Sequence, residues 1–554
     1  MINAAQFTKN LKIFPFGKNQ LKFLKVILLF LFFPYLCKNL FYAVVYISND
    51  IKMDVVEKES KSKINGCGEK SSENLKHDTI LSLLWNAFDK VGFQVIAFVI
   101  GLVTLRLLSP NDFGLIGALA IFTALSSIFI ESGFTSAMVR RPNNTDEEYV
   151  AILFFHIGLA LVFYFALFFC ADLIAQYYGM PELKDLSKFL FLSIIFSALS
   201  IVQNIILTKE LAFKKLSLAS LISAVIAGIV VIVLILLGYT YWALAWQILL
   251  QNAVKCILLW CFSSWRPKVK PQFAVIKELF AFSAPLLVNA LVNTFVRYVY
   301  NPIIGRRLGE KHLGYYSEAY KFYLLPSSII TSSVSGVSYP VLSKLNDQED
   351  RQLIYLRKMV RMSAFGIFPV LFGAMACFDN IVSVVLTDKW LPIVPYFQIL
   401  AIAGLVMPFQ SLNSGLLTLK GYPKRSFIIE SIKNALILVP IFFIHNINLL
   451  LWSFSIANIL SYFVGVMFVR RVISYKAKAQ IKDILPYFLI SVIMAVVVYS
   501  INWLPISKLF QLVIQISVGA IFYCATCYLT GSAIARELFA NIQKGIKAAL
   551  PRPK

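Results

Sequence analysis

The chain has 554 residues, of which 59% are hydrophobic and 14% are charged, and its formal net charge is +24. A soluble domain of this size needs a polar exterior, so the composition excludes a water-soluble globular protein and indicates one that uses the bilayer as its solvent. The basic residues lie mostly in short segments between apolar runs, which argues against nucleic-acid binding.

Residues 1–52 form an N-terminal extension with an apolar stretch at 26–47 that Lys38 interrupts. We interpret it either as an extra hydrophobic segment or as a start-site error, with translation beginning near Met53. The polar residues 53–79 then form a cytoplasmic lead-in.

Fourteen apolar runs follow, each near the length that crosses roughly 30 Å of hydrocarbon. Backbone groups in lipid must all be paired, and long apolar runs achieve this only as helices. The sequence therefore predicts an all-α polytopic membrane protein with about fourteen core transmembrane helices. The predicted spans are 80–105, 113–133, 150–172, 188–207, 217–238, 241–262, 280–304, 314–340, 362–385, 391–418, 427–445, 448–469, 485–501 and 508–530.

The spans divide into two six-helix bundles and a C-terminal helix pair. The predicted units are the N-terminal bundle 80–262, the cytoplasmic linker 263–279, the C-terminal bundle 280–469, the cytoplasmic linker 470–484, the helix pair 485–530 and the basic tail 531–554. Lysine and arginine concentrate in alternate loops, with an exception at Arg306, Arg307 and Lys311. By the positive-inside rule, both ends of the core face the cytoplasm.

Two pairs of segments indicate an internal repeat. Arg106–Gly114 resembles Arg306–Gly314, which lies 200 residues later, and Leu207–Lys215 resembles Leu417–Arg425, which lies 210 residues later. A unit with an even number of helices keeps its orientation when it is repeated, so we expect parallel halves around a central cavity.

The Gly114 and Gly314 segments have a structural role in this interpretation. Ser109-Pro110 ends one helix, and Asn111-Asp112 caps the next.

The first two predicted spans of each half contain six charged residues that we single out, namely Asp89, Lys90, Glu131, Arg297, Glu318 and Lys321. A charge at mid-bilayer costs about 2.5–3.5 kcal/mol on insertion scales, so it normally marks a partner or a water-filled cavity. All six fall in the first two helices of each half, which predicts that these helices line one cavity.

We assign Lys90, Arg297 and Lys321 to anion binding, because guanidinium and ammonium groups suit phosphate oxygens. Asp89, Glu131 and Glu318 would couple ions or form ion pairs. The alternative is that these charges are buried pairs that fix helix packing. Glu318 and Lys321 share a helix face, and Asp89 would pair with Arg297 across the cavity.

Tyrosines surround these charges and would either contact sugars or form an interface belt. They are Tyr298, Tyr300, Tyr315, Tyr316, Tyr320 and Tyr323.

Sequence signals of enzymes and cofactors are missing. The nearest string to a P-loop, Gly66–Ser71, lacks the glycine directly before lysine, and neither GxSxG nor HExxH occurs. The four histidines are far apart, and the eight cysteines are scattered, with Cys524 and Cys527 on a predicted helix. We therefore predict neither an enzyme nor a bound cofactor or metal.

The strings LRLLSPNDFGL, ESGF and MVRRP follow one another between residues 105 and 142. Together with LTKELAFKKL at 207–216 and LTLKGYPKR at 417–425, they resemble the bacterial polysaccharide transporters, the Wzx and WzxC-like O-antigen and exopolysaccharide flippases. These belong to the MOP superfamily with the lipid II flippases and the MATE drug carriers. The resemblance covers roughly residues 80–530.

The resemblance implies a flippase that moves an undecaprenyl-diphosphate-linked oligosaccharide across the bacterial inner membrane by alternating access. The implied partners are this lipid-linked oligosaccharide, membrane lipids, and the polymerase and glycosyltransferases of the same pathway. Family members bind cargo through cationic cavity residues, and Arg297 and Lys90 match by location. A MATE-type antiporter and a lipid II flippase are the alternatives. A membrane glycan polymerase or ligase fits less well, because no long outer loop is present.

Overall fold

The computed structural model describes residues 92–94, 96–131, 134–141, 144–532 and 534–537. The predictions for residues 1–52 and 53–79, for the beginning of the first span and for most of the basic tail lie outside the described residues.

Every regular element in the described part of the chain is helical, as the absence of water from a bilayer requires. The main helices are α1 (Gly92–Leu107), α2 (Pro110–Glu131), α3 (Phe134–Arg140), α4 (Asp146–Phe169), α5 (Ala171–Tyr178), α6 (Leu183–Leu190), α7 (Leu192–Lys209), α8 (Phe213–Leu236), α9 (Thr240–Phe262), α10 (Ala274–Tyr298), α11 (Tyr300–Lys344), α12 (Glu349–Ile381), α13 (Ile393–Leu419), α14 (Pro423–Phe443), α15 (Ile447–Arg470), α16 (Ala477–Ser500) and α17 (Lys508–Leu529). In the described part of the chain, eleven helical segments are long and apolar enough to cross a membrane, and the bent stretch Ala274–Ala281 plus Ser283–Lys344 makes a twelfth if it is one span. One large apolar core extends from α1 to α17.

The predicted loop between spans 280–304 and 314–340 is replaced by helix. Helix α11 runs from Tyr300 to Lys344, and only Gly309 leaves helical geometry, with φ 81° and ψ 178°. Glycine adopts positive φ without a Cβ clash, so one residue reverses the chain where a loop was expected. If the two parts of α11 on either side of Gly309 belong to different spans, the number of spans approaches the predicted fourteen. That number stays a prediction, because the first span begins outside the described residues.

The cap of α2 is also different from the prediction. The helix begins at Pro110, and Ser109 is its cap, not Asn111-Asp112. The backbone and hydroxyl of Ser109 donate to Asp112 Oδ2 at 2.8 and 2.6 Å. Proline is favoured in the first helical position because it needs no N–H partner there. Asp112 therefore acts from the third helical position in a capping box.

The second pair of repeated segments has matching backbone geometry. Leu211 and Gly421, which are 210 residues apart, both have left-handed φ, at 56° and 80°. Each following residue donates its N–H to the carbonyl of the residue five positions before it, from Ala212 to Leu207 and from Tyr422 to Leu417, both at 2.9 Å. This is the same helix-ending hydrogen bond in both segments. Leu211 adopts it despite its Cβ, at a cost of about 1–2 kcal/mol.

Helices α2 and α11 cross in direct backbone contact, and we call this contact the crossing. A Cβ added to Gly114 would overlap the carbonyl of Glu310, and one added to Gly314 would overlap the carbonyl of Pro110. The two contacts are reciprocal, because residues 200 positions apart exchange roles. The crossing thus requires glycine at both positions.

Side chains reinforce the crossing on both sides. Asn111 donates to the Glu310 carboxylate at 2.9 Å, and the buried Asn301 donates to the Gly117 carbonyl at 2.8 Å. We call the end of the molecule that carries these contacts the gate end. The opposite end, which carries the turns at 209–213 and 419–423, is the mouth end.

The C-terminal pair α16–α17 packs mainly against α12. At its mouth end, the buried Asp483 accepts hydrogen bonds from Arg357 at 2.8 Å, Arg361 at 2.5 Å and the Tyr475 hydroxyl at 2.9 Å. Three donors compensate the desolvation of one carboxylate.

An amide network holds the gate end of the same pair. Asn380 of α12 donates to Asn502 at 2.7 Å and to Gln515 at 3.0 Å. Both ends of α16–α17 are therefore tied to α12, at a distance from the crossing.

We expect Gly114→Ala and Gly314→Ala each to lower the melting temperature, because overpacking typically costs about 1–3 kcal/mol. The double variant should lose less than the sum of the two, since the first Cβ already separates the helices at the second contact. Thermal unfolding of the purified protein measures this. Gly158→Ala is the control, because nothing lies within 4 Å of an added Cβ there. Additive losses would contradict a shared contact.

Asp483→Asn should loosen α16–α17 by about 1–3 kcal/mol, because two arginines lose their common counter-ion. Hydrogen exchange should then accelerate in α16 and α17 and stay unchanged in α8 and α9. Lys358→Gln is the matched control, since the Lys358–Glu537 pair is partly exposed and such pairs contribute little. Equal exchange in both variants would mean that Asp483 does not hold the pair.

Candidate functional site

The crossing is sealed at the gate end by the segment that follows α12. Trp390 is fully buried and donates to the Leu105 carbonyl at 2.7 Å, while Lys389 donates to the Arg106 carbonyl at 2.9 Å. Burial lowers the pKa of Lys389, and the nearby charge of Asp112 opposes this shift. The end of α1 is thus bound to the second half of the chain.

Below the crossing, helix α11 becomes accessible on one face. Near the gate it is buried at Leu313–Tyr316 and at Glu318 and Ala319. Toward the mouth end, the residues exposed on one side are Lys321, Ser328, Ser332, Gly336 and Tyr339. Their intervals of seven, four, four and three residues are close to whole helical turns, which places them on a single face. This face is polar, although the helix lies between apolar spans.

Lys321 stands where this face begins, directly under the crossing. Its ammonium lies 5.8 Å from the ring of Phe113 in α2 and 2.5 Å from the Glu318 carboxylate. The pairing of Glu318 with Lys321 is the one that their three-residue spacing predicts. The Lys321 side chain is 66% exposed and that of Glu318 only 5%. The accessible charge of this ion pair is therefore the Lys321 ammonium.

Arg297 lies on α10 and is also exposed. Its charge acts on the hydroxyls of Tyr320 and Tyr323, so the guanidinium is beside α11. Among the residues that the structure describes, none forms an ion pair with Arg297. Arg297 thus lies near the segment of α11 that carries Lys321.

Asn289 and Asn293 precede Arg297 at intervals of four residues, so the three share one face of α10. Asn293 donates to the Asn289 carbonyl oxygen at 3.1 Å. Amides facing lipid would lack partners, so a polar face on a membrane helix indicates a water-filled space. The sequence analysis missed both asparagines because it searched for charges only, although the four-residue spacing was visible.

Three predicted site residues are not tested by this geometry. Asp89 and Lys90 lie outside the described residues, and so does the side chain of Glu131. Their roles, and the predicted contact between Asp89 and Arg297, stay predictions.

The tyrosines mostly belong to the core. Tyr300, Tyr316 and Tyr323 are almost fully buried, and Tyr300 and Tyr323 pack on the ring of Phe454. They therefore neither form an interface belt nor present their hydroxyls to a sugar.

A further ion pair in a span escaped the sequence analysis. Lys433 of α14 contacts Glu430 at 2.5 Å, with the same three-residue spacing as the Glu318–Lys321 pair. Within the described ranges no group of three or more His, Cys, Asp or Glu side chains is placed to hold a metal ion.

Comparison with known proteins agrees with this architecture. Residues 103–395 match the family model described as "Polysaccharide biosynthesis protein". The chain is 25% identical to the teichuronic acid biosynthesis protein TuaB of Bacillus subtilis over 411 residues, which are 72% of this chain and 85% of the relative. It is 25% identical to the lipopolysaccharide biosynthesis protein WzxC of Escherichia coli over 374 residues, 66% of this chain and 75% of the relative.

Solved structures show the same fold. An inward closed structure of the lipid II flippase MurJ superposes with a TM-score of 0.64 at 20% identity, covering 79% of this chain and 98% of that one. An inward-facing multidrug MATE transporter of the MOP superfamily gives 0.57 at 16% identity, covering 69% and 94%. The family model accounts for more than half of the chain, and the chain therefore belongs to the polysaccharide biosynthesis protein family, as a multi-pass membrane protein with the MurJ and MATE fold.

Proposed function

We propose that the protein is a flippase that moves an undecaprenyl-diphosphate-linked oligosaccharide from the inner to the outer leaflet of the bacterial inner membrane. The observation that carries the proposal is the pair of exposed cations, Arg297 and Lys321, on polar helix faces directly below a closed crossing. A diphosphate is the part of such a cargo that cations bind best. The protein acts as a transporter, with no enzymatic step.

The two halves, each of six helices, are parallel repeats that pivot about the crossing. The reciprocal glycine contacts and the two matching helix ends support this repeat. The positive-inside rule orients the gate end outward and the mouth end, with both ends of the core, toward the cytoplasm. While the crossing is closed, cargo enters from the cytoplasmic side. Separation of the two helices at the crossing then releases it outside. The helix pair α16–α17 moves with the second half.

The alternative functions fit the polar faces less well. A carrier of cationic drugs would need a free carboxylate, and the described Glu318 is buried and paired with Lys321. A lipid II flippase shares the fold and the anionic cargo, but the similarity to MurJ, at 20% identity, supports the fold alone. The family and its relatives in glycan biosynthesis favour the oligosaccharide carrier.

Arg297→Ala should abolish surface glycan in cells while membrane insertion stays intact, because the cargo loses a charge-assisted contact worth about 1.5–3 kcal/mol. Arg297→Lys should restore part of the export, since it keeps the charge without the planar fork. Surface glycan and the amount of protein in the membrane are measured in parallel.

Arg351→Gln is the matched control, because this arginine is exposed in the first turn of α12 and contacts Gln348. The deciding assay uses proteoliposomes loaded with undecaprenyl-diphosphate-linked oligosaccharide and follows its exposure to an added glycosidase. Failure of the unaltered protein to translocate this lipid contradicts the proposed function. Normal export in Arg297→Ala removes Arg297 from the site.

A further inference from the structure

Two antiparallel helices carry the same order of chemical groups from the gate to the mouth end. On α10, Arg297 is followed toward the mouth by Asn293 and Asn289. On α11, Lys321 is followed by Ser328 and Ser332. Both helices therefore place a cation nearest the crossing and neutral polar groups beyond it.

The two cations lie at similar depth. Arg297 and Lys321 are each twelve residues from the chain reversal at Gly309, so at 1.5 Å per residue each is roughly 18 Å from it. By the same rise, the two asparagines lie about 6 and 12 Å further toward the mouth, and the two serines about 10 and 16 Å further. The neutral groups thus occupy overlapping depths on the two helices.

The exposed hydroxyls of Ser328 and Ser332 on α11 can accept hydrogen bonds from a ligand. Ser328 donates to the Leu325 carbonyl at 3.0 Å, and Ser332 donates to the Ile329 carbonyl at 3.1 Å. Because each proton already has a partner in the helix, the exposed oxygen keeps its lone pairs for an incoming donor. Sugars carry many hydroxyl donors, so they match this surface.

The amides on α10 complement these hydroxyls. Only one internal hydrogen bond, from Asn293 to Asn289, uses their groups within the described residues. An amide has two donor hydrogens and an acceptor oxygen, so the pair retains both kinds of group for a sugar.

The first half has no basic residue at the positions that correspond to Arg297 and Lys321. In the repeat frame set by the crossing, Lys321 and Glu318 correspond to Ile121 and Ala118 of α2, and Ser328 corresponds to Ile128. Arg297 likewise corresponds to Ala97, so the two cations are features of α10 and α11 that do not follow from the duplication.

We propose that these two faces form one head-group track that fixes how the cargo lies in the cavity. The diphosphate binds at Arg297 and Lys321 beneath the crossing, and the sugars extend toward the mouth along Asn289, Asn293, Ser328 and Ser332. The inference rests on the proposed function and adds to it the orientation of the cargo and the residues that sense its glycan.

The test compares equilibrium binding of two probes to the full-length protein in lipid nanodiscs. One probe is undecaprenyl diphosphate, and the other is undecaprenyl diphosphate that carries N-acetylglucosamine. The track variant combines Asn289→Leu, Asn293→Leu, Ser328→Ala and Ser332→Ala. The cation variant combines Arg297→Gln and Lys321→Gln. The control combines Ser327→Ala and Ser338→Ala, two buried serines of α11 that also donate to carbonyls of their own helix.

The track variant should bind the glycosylated probe about tenfold more weakly, as expected for the loss of one or two net hydrogen bonds, and the bare probe within twofold of the unaltered protein. The cation variant should lose affinity for both probes, and the control for neither. Equal losses for the two probes in the track variant, or no loss for the glycosylated one, overturn the head-group track. If the unaltered protein binds neither probe, the proposed function fails instead.

Discussion

The contact between two helix backbones at Gly114 and Gly314 is the constraint on which the rest of the structure depends. Each glycine faces a carbonyl of the other helix, and a side chain at either position would overlap it. The helices therefore meet more closely here than side chains ordinarily permit. The exchange is reciprocal, because the glycine of each helix faces the carbonyl four residues before the glycine of the other. Trp390 and Asn301 add hydrogen bonds around it and close the gate end.

Closure at one end has consequences for polar groups further along the helices. Near the crossing, α11 is buried, and below it one face is exposed. The exposed faces of α10 and α11 carry amides, hydroxyls and two cations. Contact of these groups with lipid costs free energy, whereas contact with water does not. The C-terminal pair is tied to α12 at Asp483 and at Asn380, so its attachment is independent of the crossing. In the alternating-access cycle that we propose, this pair therefore stays with the second half.

The sequence was sufficient for the helical membrane architecture, which depends on the length of apolar runs, and for the family, which depends on short strings in a fixed order. The predicted pairing of Glu318 and Lys321 also depends only on spacing along one helix, and it is present. A reversal between residues 304 and 314 was predicted, but as a loop, because the polar run at 306–312 resembles one; that a single positive φ at Gly309 between two helical segments makes the reversal is not visible in the sequence. The burial of Tyr300 and Tyr323 depends on tertiary neighbours such as Phe454, which no local pattern specifies.

The central claim is that the crossing is the closed outer gate above a cavity open to the cytoplasm. It is tested most directly by thiol labelling of Ser328→Cys in a cysteine-free background that also carries Asn111→Cys and Glu310→Cys, joined by a short bifunctional crosslinker. With the gate pair linked, a membrane-impermeant reagent should label position 328 from the cytoplasmic side and not from outside. Without the link, transport cycling should expose it to both sides. Labelling from outside while the gate pair is linked would contradict the account.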